Sequence, residues 1–168
     1  MTILNIHKRQ LNCQKADVLK LYETLSRKED KMWPLENWPR MIFANGLQVG
    51  AEGGHGPIHY KVIKLDSDGT IEFEFQRPRG FYGTHKFQSQ SLSSSTTEII
   101  HTIAIETKGM GTLKWIVAIR SLHDALIEDA FDKIENQLTG TMKKTTWSLW
   151  VRILRTILGA KSTTKGSF

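Results

Sequence analysis

The sequence predicts an α+β fold in which an antiparallel sheet packs on one long helix. Residues 121–140 (SLHDALIEDAFDKIENQLTG) place Leu122, Leu126, Ile127, Ala130, Phe131, Ile134 and Leu138 on one face at helical spacing. Asp124, Glu128, Asp129, Asp132, Glu135 and Asn136 fill the opposite face. From Ile58 the apolar period switches to two, and the connections are tight. The order strand, helix, irregular crossover, several strands, long helix is that of a sheet layered on a helix.

Taken in order, residues 2–10 (TILNIHKRQ) read as a first strand of imperfect alternation. Asn12 is predicted to cap a helix over 14–27, where Val18, Leu21, Tyr22 and Leu25 form a stripe. Residues 32–57 are irregular, because each Trp-Pro step disfavours helical geometry at the tryptophan. Pro34 suits the first turn of a short second helix. Strands are predicted near 58–65, 70–77, 84–91, 97–107 and 112–120, separated by DSDG at 66–69, PRG at 78–80, a Ser/Thr loop at 93–97 and GMG at 109–111. Ser121 and Asp124 resemble a capping box for the long helix, and Gly140 stands where a left-handed C-cap belongs.

Parity along the strands assigns the inward side chains. They are Tyr60 and Val62, then Ile71, Phe73 and Phe75, then His85 and Phe87. Ile99, His101, Ile103 and Ile105 follow, and Leu113, Trp115, Val117 and Ile119 complete the set. His123 lies in the middle of the helix's apolar face. His85, His101 and His123 are therefore expected to look into one apolar interior, joined by the Tyr60 hydroxyl.

The charge is unevenly placed. The chain carries 23 bases and 17 acids; six bases and no acid follow residue 140, so the remaining 17 bases balance the acids. A neutral body argues against a nucleic-acid face and sets the tail apart. The single Cys13 excludes an internal disulfide and suggests a reducing compartment. No signal-peptide pattern opens the chain and no apolar run is long enough to span a membrane, so a cytoplasmic location is expected, with peripheral contact at the inner membrane face through the tail.

The segments GGHGPIHY (53–60), PRGFYGTHKF (78–87) and SLHDALIEDAFDKIEN (121–136), in this order, resemble bacterial members of the START-related polyketide cyclase/dehydrase and lipid-transport superfamily (SRPBCC). The resemblance covers roughly residues 1–140, and WSLWVRILR (147–155) looks like a tail some members carry. It implies a helix-grip fold, a curved antiparallel sheet wrapped around the long C-terminal helix with a cavity between. Functions implied by it range over lipid and hormone binding, transfer and aromatic ring closure. No catalytic motif is shared across the superfamily, so it implies no catalytic residue.

The chemistry narrows accordingly. His55 and His59 are kept from helical alignment by Gly56 and Pro57; there is no HExxH motif and no cysteine pair. No metal and no cofactor are expected. Phosphate loops, dinucleotide fingerprints and the nucleophile elbow are also missing, and Cys13 has no histidine partner near in sequence. The leading reading is a domain over 1–140 that binds a hydrophobic small molecule, a lipid or aromatic polyketide-like compound. Its expected site is Tyr60, Phe73, Phe75, His85, Phe87 and His101, with Ile103, Trp115, Val117, His123, Ile127 and Phe131. Trp33, Trp38, Phe81 and Tyr82 form a gate in that reading. The alternatives are a cyclase or dehydrase with His123 as base, neutral in the first helical turn, and an accessory protein acting through its tail. That tail is predicted as an amphipathic basic helix over 141–159, followed by disorder over 160–168. Its wide apolar arc suits docking, homodimerisation or membrane contact through residues 142–158.

Overall fold

The computed structural model describes residues 1–158; the disorder expected for 160–168 lies outside the described residues. Seven strands form one antiparallel sheet: β1 (Thr2–Leu11), β2 (Ile42–Phe43), β3 (Glu52–His55), β4 (Ile58–Asp66), β5 (Thr70–Arg77), β6 (Phe81–Ser91) and β7 (Thr97–Thr107). Their order is β1-β7-β6-β5-β4-β3-β2, so the first strand lies beside the last. Register shifts at His59/Tyr60 and Val62/Lys64 interrupt β4, as bulges that bend a strand do. The short β2 and β3 extend the sheet where glycine-rich sequence hid any alternation.

The predicted fifth strand over 112–120 is helix. α2 (Met110–Lys114), a π-helical turn (Trp115–Ile119) and α3 (Arg120–Thr139) form one unbroken rod. The alternating apolar residues of TLKWIVAIR mimic a strand, but only Trp115 is buried, while Leu113, Ile116 and Val117 are exposed. Trp115, Ile119, Leu122 and Leu126 follow helical spacing instead, and tertiary packing overrides local β propensity. Val117 therefore leaves the predicted inward set. The Ser121–Asp124 capping box does not form either, since the helix runs straight through Ser121 from its N-cap at Gly109. Gly140 does end the rod in the left-handed conformation, with φ 67°.

Other corrections are local. α1 (Lys15–Tyr22) is shorter than predicted and begins after Gln14 rather than Asn12, without a side-chain cap. Pro34 opens a single turn, closed by Trp38 N–H to Pro34 O at 3.0 Å, and no helix follows. The predicted tail helix is confined to α4 (Leu149–Ile157), capped by Ser148. Residues 141–148 form a strap without helix because α3 side chains hold their backbone: Asn136 Nδ2 donates to Lys143 O at 2.8 Å, and Asp132 accepts the Thr145 N–H. α4 then docks on its own domain through buried Val151 and Leu154, and Arg155 stacks between Trp38 and Trp147 at 4.4 and 4.2 Å.

The rod enters the fold at a glycine contact. A Cβ on Gly111 would stand 2.7 Å from Gly80 O, and Gly80 itself has φ 92°. Alanine in a helix favours stability by about 1 kcal/mol over glycine. Overpacking against backbone costs about 1–3 kcal/mol. Gly111→Ala is therefore expected to destabilise the protein by about 1 kcal/mol or more in urea unfolding; a stabilised variant would show that the contact gives way freely.

Candidate functional site

The interior between the sheet and the rod holds a row of histidines. Period two on β6 and β7 turns His85 and His101 inward, and the β1–β7 register sets His7 directly opposite His101. His123 descends onto them from α3. The row begins at His55, whose Nε2 lies 2.7 Å from the Tyr60 hydroxyl. Tyr60 and His85 rings follow at 4.3 Å, and His85 Nδ1 shares a hydrogen bond of 3.3 Å with His101 Nε2. His101 and His123 rings are 4.9 Å apart, and His123 and His7 rings 5.8 Å. Phe73 stacks on His85 at 4.7 Å, and Phe87 meets His101 edge-on at 4.5 Å. Five of the chain's six histidines thus share one line with Tyr60, among apolar walls.

The ends of the line differ in charge. Burial lowers His55 to about 3 and holds His85 and His101 well below the ordinary histidine value, with neighbouring histidines adding to the effect. Burial lowers His123 too, against the opposing pull of Asp124. The positive end of a helix dipole has no part in this: His123 sits deep in the continuous rod, not in a first turn. At the far end, burial also disfavours charge on His7, but Asp124 and Glu128 outweigh it. His7 Nε2 and Nδ1 each lie 3.0 Å from a carboxylate oxygen, and its value rises to about 9. Burial raises the Tyr60 phenol, which stays protonated.

Among the described residues, four ring nitrogens in this line have no hydrogen-bond partner: His85 Nε2, His101 Nδ1 and both of His123. His123 Nδ1 is 3.5 Å from Asp124 Oδ1, at the outer limit of hydrogen-bond distance. Each unpaired buried polar atom costs about 1–3 kcal/mol. His7, His123 and Asp124 bring three metal-ligating atoms within 4.8 Å of one another. They could hold a cation only after His7 lost its proton, since both its nitrogens now face carboxylates.

The predicted site residues divide between two clusters. Tyr60, Phe73, Phe87, Ile127 and Phe131 belong to the main core around the histidines. Ile103 and Trp115 lie with Phe81 in a smaller cluster, and Phe75 touches both. The four gate residues do not come together. Trp33 covers His55 at 4.8 Å and Trp38 donates to Asp129 at 2.7 Å, whereas Phe81 packs on Trp115 and Tyr82 is exposed beside Lys108. Tyr82 stands on the outward parity of β6, which removes it from an inner gate. One surface depression of about 310 Å³ lies beside α4 and another of about 280 Å³ where Glu52, Gly53, His59, Tyr60, Gln76 and Arg77 meet at the β4 bulge. Neither lies between the sheet and α3.

Sequence reasoning missed His7 and His55. His7 shares the inward parity of β1 with Asn5 and Arg9, a polar set that disguised the alternation. The matching signal was the acidic stripe Asp124, Glu128, Asp132 and Glu135 on α3, which faces β1 rather than solvent. His55 lies among glycines, where no period could be read.

No family model and no curated protein matches the chain. Solved structures do. Norcoclaurine synthase from Thalictrum flavum, in complex with dopamine and hydroxybenzaldehyde, superposes with a TM-score of 0.64 at 14% identity, covering 86% of this chain and 90% of that one. A solution structure from Thermobifida fusca gives 0.61 at 12%, covering 85% and 97%. A protein from Nitrosospira multiformis gives 0.61 at 11%, covering 82% and 97%. Sheet, rod and superpositions agree: the chain has the helix-grip fold.

Proposed function

We propose that the chain binds, and carries, a hydrophobic small molecule bearing a hydrogen-bonding group, with the histidine row as its polar anchor. The unpartnered nitrogens of His85, His101 and His123 are the observation that supports this reading most. A core under selection for stability alone has no use for four such atoms, whereas a ligand hydroxyl or carbonyl would satisfy them. Neutral imidazoles offer both a donor and an acceptor to such a group. The aromatic ligands of norcoclaurine synthase, on the same fold, favour a compact aromatic compound. Side chains fill the space between sheet and rod, so the ligand reaches it by displacing the crossover, where Trp33 covers His55.

Titration with 2-naphthol, followed by quenching of tryptophan fluorescence, is expected to reveal one saturable site. His123→Leu removes two unpartnered atoms without creating another. It should weaken 2-naphthol about tenfold, the loss of one hydrogen bond, while raising stability by about 1–3 kcal/mol. Unchanged affinity in that variant, or no saturation in the parent, would overturn the reading. A cyclase or dehydrase using His123 as base is the second reading, favoured by the Asp124 carboxylate beside it, which would stabilise the imidazolium formed. His123→Leu retaining full turnover would remove it.

A further inference from the structure

We infer that the surface formed jointly by α2, the π-helical turn and α4 docks on an anionic lipid bilayer. On the rod, Leu113, Ile116 and Val117 are exposed along one side. On α4, Leu149, Trp150, Ile153 and Ile157 are exposed opposite the docked Val151 and Leu154. The two sets join where Trp150 Nε1 donates to Val117 O at 3.0 Å. The depression between Leu149, Arg152, Ile153, Thr156 and Ile157 belongs to the same face. Ile116 is 58% exposed, Leu149 70% and Ile157 71%, so none of the described residues covers these apolar groups.

Charge selects the partner. No acid occurs between Lys108 and Arg120 or between residues 141 and 158. Lys114 and Arg152 are exposed and form no ion pair among the described residues. Lys144 adds a further exposed base on the strap over 141–148, while Asp124, Glu128, Asp132 and Glu135 of α3 are engaged by His7, Arg9 and Lys143. A second copy seated on this face by two-fold symmetry would bring like charges together. A bilayer with anionic headgroups receives both components, apolar side chains at the acyl boundary and bases at the headgroups. Trp150 suits that boundary, with an apolar body and a polar edge.

Vesicle flotation of the full chain tests this. Vesicles of phosphatidylcholine containing about one third phosphatidylserine are expected to carry the protein, and pure phosphatidylcholine is not; about 0.5 M salt should weaken the attachment. Ile116→Glu combined with Ile153→Glu places charge on exposed positions outside the histidine row. It should lower partitioning more than tenfold with unchanged far-UV circular dichroism. Equal flotation of that variant, or equal binding to both vesicle types, would overturn the inference. So would a parent protein that ignores vesicles and sediments as a dimer, converted to monomer by the same substitutions.

Discussion

Acidification from pH 7 to about 4.5 is expected to unfold the protein cooperatively, because three interior histidines that are neutral in the native state take up protons on unfolding. His55, lowered to about 3, and His85 and His101, held well below the ordinary value, stay neutral in the native state. In the unfolded chain each titrates near 6.5. Below that value the unfolded state therefore holds protons that the native state lacks, and stability falls as pH falls. Each group contributes at most about 1.4 kcal/mol per pH unit, so three approach about 4 kcal/mol per unit. A drop of about 2 units below 6.5 then removes up to about 8 kcal/mol, comparable to the whole stability of a domain this size. His7 works in the opposite sense. Raised to about 9, its contribution is complete below 6.5 and disappears as pH rises through 9. The stability profile should thus fall on both flanks, steeply on the acid side. Fluorescence-detected unfolding across pH 4–9 would measure it. A native fold retained at pH 4 would refute the neutral row.

Legibility followed the kind of signal. Strands with a clear apolar alternation, such as Thr70–Arg77 and Thr97–Thr107, were readable because burial on one face imposes period two. The meeting of His85, His101 and His123 followed from the same parity. Where the inward face is polar, parity conceals the contact. Asn5, His7 and Arg9 pair with an acidic stripe that looks solvent-facing until both partners are placed. Asp129 carries the same lesson, since it accepts from both Trp38 and Trp147 and fixes crossover, rod and tail strap together. TLKWIVAIR failed for the opposite reason. Its residues prefer strands, and only the glycine contact at Gly80–Gly111 and the continuity into α3 show that they are helical.

Arg9→Met is expected to cost about 3–5 kcal/mol, because it leaves the buried Asp132 carboxylate without its ion-pair partner. β1 is an edge strand, so on one side only its inward face can hold it to the rod. That face is charged. Arg9 Nη2 lies 2.6 Å from Glu128, and Nη1 lies 2.5 Å from Asp132 and 3.1 Å from Glu135. The arginine side chain is 11% exposed and that of Asp132 7%, so water cannot screen Asp132 once the guanidinium is gone. The guanidinium also lies 5.7 Å from the Phe131 ring, and methionine would keep that packing but none of the charge. Arg9→Lys supplies a point charge that cannot span Glu128 and Asp132 at once, so it should recover only part of the loss. Urea unfolding at pH 7 separates these outcomes. A loss below about 1 kcal/mol in Arg9→Met would mean that the network behaves as a solvated surface pair. A full loss with partial rescue by lysine would mark Arg9 as the residue that seats β1 on α3, and with it His7 at the end of the histidine row.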